Sequence, residues 1–181
     1  MSEDDRNADW KQGYLHVYTG DGKGKTTAAF GLALRAAGAG LRVFVVQFVK
    51  GMWYAELAAL EKLADSITVL QAGRDCFIHR DPAEEDIRAA REGLEAARRA
   101  MQSGDYRLVI LDEANIATYY NLFAVDELLE LIESRPPDVE VVVTGRKADP
   151  RLLQAADLVT DMREVKHYYT RGIVARRGIE K

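Results

Sequence analysis

The stretch YLHVYTGDGKGKTTAAFG, residues 14–31, places an apolar run before a glycine-rich segment and a helical pattern after it. Because glycine adopts backbone angles that other residues avoid, the glycines at 20, 22 and 24 allow this segment to curl with its N–H groups pointing inward. Inward N–H groups and the N-terminus of the following helix attract anionic oxygens. The order of strand, glycine-rich turn and helix therefore predicts a phosphate-binding loop, and a turn without a ligand is the less favoured interpretation.

The loop departs from the consensus G-x-x-x-x-G-K-[ST] at its first position, where Thr19 replaces glycine and Gly20 is expected to provide the same bend. Lys25 is predicted to reach phosphate oxygens, and the Thr26 hydroxyl to ligate Mg²⁺ or Mn²⁺. For Lys23, phosphate contact and a solvated position are equally open. The residues predicted to bind the nucleotide here are Thr19, Gly20, Asp21, Gly22, Lys23, Gly24, Lys25, Thr26 and Thr27.

Outward from this loop, short β-rich runs alternate with helical patterns. The predicted strands are 14–18, 42–48, 67–70, 107–112, 139–144 and 157–162, and the predicted helices are 25–37, 54–64, 81–102 and 124–134. The third helix is expected to have Asp81 as its cap and Pro82 at its first position. Most strand runs are continuously apolar, which is typical of strands covered on both faces. The alternation predicts an α/β fold like that of P-loop NTPases, with an open, mostly parallel sheet flanked by helices.

Length and composition narrow the class of protein. The 181 residues predict a flexible polar N-terminal arm of 1–12 and a single catalytic domain of 13–181. The net charge of −4 disfavours nucleic acid as a partner. The single cysteine argues against a disulfide within the chain, and no apolar stretch is long enough to cross a membrane. We therefore expect a cytoplasmic protein without nucleic-acid or membrane partners.

The segment LVILDE, residues 108–113, combines a buried strand with two acids at its end. In open parallel sheets, ligands bind at the carboxyl ends of the strands, where these carboxylates are expected to emerge. Asp112 or Glu113 is therefore expected to hold the metal ion that Thr26 also contacts, and both acids are candidate ligands. In the competing interpretation, Asp112 caps the next segment and Glu113 faces solvent.

Basic residues follow two other predicted strands. Arg146 follows the run 139–144, where it either binds phosphate oxygens or pairs with an acid on the following helix. Lys50 follows the run 42–48 at the same edge, and a surface lysine is the main competing interpretation there. The sequence has no nucleophile elbow, no recognisable Cys–His arrangement and no metalloprotease helix. A reaction that relies on phosphate positioning and a divalent cation needs a good leaving group or a strong external nucleophile.

Several segments, in this order, resemble the P-loop type of cob(I)alamin adenosyltransferase, a corrinoid adenosyltransferase family. They are TGDGKGKTTAAFGLALRAAG, VQFVKG, LVILDEAN, VVVTGRKA and ADLVTDMREVKHYYTRGIVARRGIE. The first alone indicates a nucleotide-binding protein, whereas the last is far more particular to that family. The resemblance implies transfer of the 5′-deoxyadenosyl group of ATP to the Co(I) of a reduced corrinoid, with triphosphate as the leaving group.

The resemblance also implies roles for the residues above. The loop would bind the departing triphosphate, and the metal ion at Thr26, Asp112 and Glu113 would neutralise its growing charge. Lys25, Thr26 and Glu113 are then the expected catalytic residues. Because Co(I) is itself a strong nucleophile, no protein base is needed, and the remaining task is to place C5′ close to cobalt.

The corrinoid pocket of that family uses aromatic and apolar residues of a loop that matches GRDCFIHRD, residues 73–81. Phe77 fits the aromatic role and is the predicted corrinoid contact, whereas His79 stands where a tryptophan or another apolar group is expected. Trp53 and Tyr54 either cover the corrin or pack under a helix. The resemblance further implies a flavoprotein reductase as electron donor and a homodimer.

Two other functions would use the same loop. A P-loop kinase or ATPase transfers the γ-phosphoryl group and releases ADP and phosphate, whereas the adenosyltransferase releases intact triphosphate. A nucleotide switch without enzymatic activity would hold ATP and change the affinity for a partner, but no long insertion offers an effector surface. The ordered set of segments favours the adenosyltransferase.

Overall fold

The computed structural model describes residues 11–74 and 82–180. Within these ranges the strands form one parallel sheet in the order β3-β2-β4-β5-β1-β6. The strands are β1 (Leu15–Thr19), β2 (Val43–Phe48), β3 (Ile67–Ala72), β4 (Leu108–Asp112), β5 (Glu140–Thr144) and β6 (Leu158–Asp161). The predicted α/β fold with an open parallel sheet is confirmed. The predicted arm of 1–12 lies almost entirely outside the described residues, so the domain boundaries stay predictions.

Helices connect the strands and cover both faces of the sheet. They are α1 (Lys25–Gly38), α2 (Ala55–Leu60), α3 (Glu84–Gln102), α4 (Ala114–Tyr119), α5 (Val125–Glu133) and α6 (Pro150–Ala155), with short 3₁₀ turns at Glu61–Leu63 and Tyr168–Arg171. Across the described ranges, no helix combines the length and the hydropathy that a membrane span requires.

The start of α3 differs from the prediction. The helix begins at Glu84, and Pro82 precedes it instead of occupying its first position. The carboxylate of Asp86 accepts a hydrogen bond from the Ala83 N–H at 2.9 Å and so satisfies a donor at the helix start. The predicted cap, Asp81, lies outside the described residues.

The central strands β2, β4 and β5 are almost continuously apolar because both faces of the sheet are buried there. In β4, Val109 and Leu111 belong to the core on the side of α3 and α5. Leu108 and Ile110 belong to the core on the side of α1, where Ala29 and other small residues let the helix approach closely. Successive side chains of a strand point to opposite faces, so the continuous run of apolar residues fills both cores.

The parallel register brings the carboxyl ends of the strands to one edge of the sheet. Gln47 of β2 lies beside Asp112 of β4, and Tyr18 of β1 lies beside Thr144 of β5. The segments that follow these strands therefore meet at this edge, although they are far apart in the sequence. The glycine-rich loop follows β1 there, and α1 begins directly after it at Lys25.

Candidate active site

A cavity of about 710 Å³ opens at the carboxyl edge of the sheet. Segments that follow β1, β2, β4 and β5 meet there with the C-terminal part of the chain. Its wall includes residues 21–27 of the predicted phosphate loop, Lys50 and Tyr54, Glu113, Arg146, His167 and residues 178–180. Most of the residues predicted to bind the nucleotide thus surround one cavity, whereas Thr19, Gly20 and Asp112 lie behind its wall.

The bend of the loop requires glycine at position 20. Gly20 has a φ of 93° and Gly24 a φ of 121°, in the region that side chains other than glycine avoid. A Cβ atom on Gly20 would lie 2.3 Å from Asp161 Oδ1 and 2.5 Å from the Met162 carbonyl oxygen. The Gly22 N–H donates to that same carbonyl at 2.6 Å. The loop therefore packs directly on the chain that follows β6, and Thr19 is the last residue of β1.

Lys25 is buried and closes the loop on itself. Its Nζ donates to the carbonyl oxygens of Gly20 and Gly22, both at 2.7 Å. Burial lowers the pKa of the Lys25 ammonium, while the carboxylate of Glu113 opposes that shift. Since its partners are uncharged carbonyls, Lys25 is free to exchange them for an anion that enters the cavity.

Asp112 is fully buried, with 0% of its surface exposed, and forms the centre of a polar network. Its Oδ1 accepts hydrogen bonds from the hydroxyls of Thr26 at 2.9 Å and Thr144 at 2.7 Å. Its Oδ2 accepts from Lys50 Nζ at 2.7 Å and Gln47 Nε2 at 3.2 Å. Burial alone would raise the pKa of this carboxyl, but the Lys50 ammonium and these hydrogen bonds outweigh it and lower the pKa. Asp112 is therefore an ionised, fully hydrogen-bonded carboxylate.

Glu113 has a left-handed backbone, with a φ of 60°, and directly precedes α4. Its N–H donates to the Thr144 hydroxyl at 3.0 Å, and its side chain lines the cavity. Among the described residues its carboxylate has no hydrogen-bond or ion-pair partner, and burial raises its pKa. The competing interpretation is wrong for both acids, since Asp112 lies in the network and makes no cap of α4, and Glu113 faces the cavity.

The donor set at this edge fits a hard divalent cation. It consists of the Thr26 hydroxyl and the carboxylates of Asp112 and Glu113, and Mg²⁺ prefers such oxygen ligands. The described residues contain no cluster of three or more His, Cys, Asp or Glu side chains that would hold a metal alone. Since Mg²⁺ commonly combines one or two carboxylates with substrate phosphates, the small number of protein ligands agrees with a site completed by a nucleotide.

The interpretation of Lys50 as a surface lysine is wrong. Only 14% of its side chain is exposed, and its Nζ contacts Asp112 Oδ2 and, at 3.1 Å, Thr26 Oγ1. The facing Asp112 carboxylate outweighs burial, which alone would lower the pKa, and raises the pKa of this ammonium. No nucleotide motif includes this residue, but a polar Gln47 within an otherwise apolar strand was a signal that β2 approaches a buried polar group.

Arg146 and Lys23 each contact a partner that the sequence did not predict. Arg146 lines the cavity, and its Nε lies 4.0 Å from Asp21 Oδ1, so its acidic neighbour belongs to the phosphate loop and not to the following helix. Lys23 Nζ donates to the Ile179 carbonyl at 2.7 Å and lies 3.9 Å from Glu180 Oε1. Lys23 thus attaches the C-terminal segment to the loop. The contacts of both residues with phosphate stay predictions.

The residues expected near a corrin are only partly described. Tyr54 lines the cavity, and Trp53 is 54% exposed with the Arg177 guanidinium 5.6 Å from its ring. Packing of Trp53 under a helix is therefore wrong. Phe77 and His79 lie outside the described residues.

Comparisons with known proteins agree over nearly the whole chain. A family model described as ATP:corrinoid adenosyltransferase BtuR/CobO/CobP matches residues 11–180. The chain is 38% identical over 171 residues to a corrinoid adenosyltransferase of Pseudomonas aeruginosa, covering 94% of this chain and 84% of that protein. It is 37% identical to a corrinoid adenosyltransferase of Escherichia coli, covering 94% of this chain and 86% of that protein. It is 35% identical to the corrinoid adenosyltransferase CobA of Salmonella typhimurium, covering 94% of this chain and 86% of that protein.

Proposed function

This chain belongs to the ATP:corrinoid adenosyltransferase family, and we propose that the cavity at the carboxyl edge of its sheet is where ATP and a reduced corrinoid react. The protein transfers the 5′-deoxyadenosyl group of ATP to the Co(I) of the corrinoid, with triphosphate as the product. Transfer of the γ-phosphoryl group, the alternative function of such a loop, is not favoured. The observation that supports the proposed site is the meeting of the loop, Thr26 and Glu113 on one cavity, with Asp112 directly behind it.

The loop and the start of α1 would bind the triphosphate. Gly24 precedes α1 and provides no side-chain hydrogen bond to its first turn, so the N–H groups there are available to anionic oxygens. Lys25 would turn from the Gly20 and Gly22 carbonyls to the phosphates. Each of these donors stabilises charge that grows on triphosphate as the C5′–O5′ bond breaks.

Thr26, Asp112 and Glu113 would hold Mg²⁺ or Mn²⁺, which supplies positive charge against the leaving triphosphate. Glu113 lines the cavity and has no other partner among the described residues, which suits a ligand for a cation brought in with the nucleotide. Asp112 is held in a single orientation by Thr26, Thr144, Lys50 and Gln47. The identity of the metal is a proposal from this oxygen donor set.

The chemistry needs no proton transfer by the protein. The electron pair of Co(I) forms the Co–C5′ bond, cobalt is oxidised formally to Co(III), and the electrons of the C5′–O5′ bond leave with triphosphate. The protein contributes alignment of cobalt, C5′ and the leaving oxygen, together with exclusion of water. Tyr54 lines the cavity and the neighbouring Trp53 is exposed, so both would be available to contact the corrin. Phe77 stays the predicted aromatic contact from residues 73–81.

We also propose a homodimer that uses the edge of the sheet at β6. In the described part of the chain β6 pairs with β1 on one side only, and Leu158 and Val159 are exposed. An exposed apolar edge strand favours pairing with another chain. The cytoplasmic location and the flavoprotein reductase stay predictions that the likeness to the family supports.

One experiment tests the reaction. The protein is incubated with Mg-ATP and chemically reduced cobalamin while the corrinoid spectrum and the phosphate products are followed. A light-sensitive Co–C species that appears together with triphosphate is expected. ADP and orthophosphate without any change in the corrinoid spectrum would instead identify a kinase or an ATPase.

A further inference from the structure

The oxygens that would hold the divalent cation are already bound to another cation, the Lys50 ammonium. Its Nζ lies 2.7 Å from Asp112 Oδ2 and 3.1 Å from Thr26 Oγ1. The Thr26 hydroxyl donates to Asp112 Oδ1 at 2.9 Å, so its hydrogen is also committed within the network. Mg²⁺ binds its oxygen ligands at about 2.0–2.1 Å, which would place it within a few ångströms of this ammonium. Two cations at such a distance repel strongly, so they exclude one another from these oxygens.

The position of Lys50 is enforced by the backbone on either side of it. Val49 has a φ of 52°, a left-handed conformation that is strongly disfavoured for a β-branched residue. A Cβ on Gly51 would lie 2.4 Å from the Arg74 carbonyl carbon, and a Cβ on Gly73 would lie 2.4 Å from the Lys50 nitrogen. A strained conformation persists only where its surroundings determine it, and such residues concentrate at functional sites. The contact of Lys50 with Asp112 is therefore built into the fold.

Lys50 also blocks the path from the cavity to Asp112. Lys50, Thr26 and Glu113 line the cavity, whereas Asp112 is fully buried behind them. An ion that enters the cavity reaches Asp112 Oδ2 only after the ammonium has moved away. In the absence of nucleotide, the displaced ammonium would lose its contact with a buried carboxylate. The Glu113 carboxylate in the same wall already interacts with Lys50, so it offers little new compensation for that loss.

A triphosphate in the cavity changes this balance. Lys50 lies in the same wall as the loop residues 21–27, so its ammonium can turn from Asp112 toward phosphate oxygens. The divalent cation then takes over Asp112 and Thr26, and both cations keep anionic partners. We propose that Lys50 is the resident cation of this site, so that the free protein binds divalent metal weakly and accepts it only together with the nucleotide. This inference rests on the proposed metal-binding role of Thr26 and Asp112.

The test measures binding of Mn²⁺ to nucleotide-free protein by electron paramagnetic resonance, since free and bound Mn²⁺ give different signals. Lys50→Met is expected to bind Mn²⁺ more tightly than the wild type by about tenfold or more, within the usual range of coupling between two ligands. Lys62→Met is the matched control, because Lys62 is an exposed lysine of the 3₁₀ turn after α2, and it should behave as the wild type. Adding Asp112→Asn to Lys50→Met should abolish the gain.

A second measurement keeps the test valid if Lys50→Met is less stable than the wild type. Millimolar Mn²⁺ is expected to raise the thermal midpoint of this variant, because the metal replaces the missing charge at Asp112, and to leave the wild type unchanged. Equal Mn²⁺ affinity of the two proteins, or a Lys50→Met protein that Mn²⁺ neither binds nor stabilises, would overturn the proposal. Neither measurement contains ATP or a corrinoid, so a negative result in both would not argue against adenosyl transfer. Conversely, both measurements of Mn²⁺ binding stay interpretable if the protein shows no adenosyl transfer.

Discussion

The loop after β1 and the loop after β2 both place a buried lysine at the same cavity, but they reach it by different backbones. The first bends at Gly20 and Gly24, which adopt positive φ without strain. The second bends at Val49, for which the left-handed region is unfavourable. Glycine spacing is visible in a sequence, whereas a valine in a left-handed bend looks like one more residue of a strand. The first loop could thus be identified from its motif. The second could be placed at the same edge of the sheet, but its bend at Val49 and its contact with Asp112 could not be predicted.

The partners of the two lysines differ as much as their backbones. Lys25 donates to uncharged carbonyls of its own loop, and Lys50 faces the buried Asp112 carboxylate. Lys25 can leave its partners for a phosphate without exposing a buried charge. Lys50 can leave only when another cation replaces it at Asp112. We therefore expect Lys25 to matter mainly for the reaction and Lys50 mainly for the stability of the free protein.

The largest effect is expected for Lys50→Ala on stability. Removing one partner of a buried ion pair costs about 3–5 kcal/mol, because the other charge stays buried without compensation. Urea unfolding of the nucleotide-free protein measures this loss. The double variant Lys50→Ala/Asp112→Asn should recover much of it. If Lys50→Ala is no less stable than Lys25→Ala, the contrast between the two lysines is wrong.

Lys25→Ala should instead affect the rate of adenosyl transfer. Loss of one donor to the developing charge lowers kcat by about 10²–10³-fold, while the fold is retained because no charged group loses its partner. The rate is followed from the corrinoid spectrum, and circular dichroism reports the fold. Lys62→Ala, at an exposed site, serves as the control with unchanged rate. Full activity of Lys25→Ala would remove the loop from the mechanism.

A smaller effect is expected at Gly51, which lets the β2 loop lie against the backbone of 73–74. Because an added Cβ would lie 2.4 Å from the Arg74 carbonyl carbon, Gly51→Ala should lower the free energy of unfolding by about 1–3 kcal/mol. The matched control is Gly31→Ala, inside α1, where a Cβ would meet no atom within 4 Å. That change should stabilise the protein by about 0.5–1 kcal/mol. A neutral Gly51→Ala would show that the Lys50 loop adapts more easily than its geometry indicates.

The stability of Glu113→Gln as a function of pH tests the surroundings of the two lysines, since Lys25 and Lys50 both face the Glu113 carboxylate. Burial raises the pKa of Glu113 above its ordinary value of 4.5. A raised pKa means that the folded state binds the proton more tightly, so wild-type stability falls as pH rises through the folded pKa. Glu113→Gln should therefore be more stable than the wild type at neutral pH, with an advantage that disappears toward pH 4.5. Urea unfolding at several pH values, without metal or nucleotide, measures this difference. An advantage independent of pH would contradict the buried, unpaired carboxylate.

Much of the fold followed from local sequence pattern. Apolar runs predicted the six strands of the sheet within the described residues. The clearest runs belong to β2, β4 and β5, which are buried on both faces, whereas β6 is an exposed edge strand. The start of α3 was missed because Asp81 and Pro82 resemble a helix start, whereas Asp86 forms the observed contact at Ala83. The short α4 has no apolar period, and the residue before it, Glu113, has a left-handed conformation.

The site was predictable where one segment contains the whole pattern, and not where distant segments meet. Lys25, Thr26 and the acids at the end of β4 follow known spacings. The bond from Lys23 to the Ile179 carbonyl joins residues 156 positions apart, and no local pattern indicates it. In the sequence, Thr144 is only the last residue of the run 139–144, yet its hydroxyl donates to Asp112 and accepts from the Glu113 N–H. Such pairings depend on strand order, which a single sequence does not reveal.

The network around Asp112 also has a consequence for how the chain folds. Its partners Thr26, Gln47, Lys50 and Thr144 lie 86, 65, 62 and 32 residues away along the chain. A partly assembled sheet that lacks β1, β2 or β5 leaves this carboxylate short of donors in an apolar interior, which makes such intermediates unfavourable. One buried acid therefore penalises arrangements that lack any of these three strands and favours a cooperative, all-or-none transition to the native state.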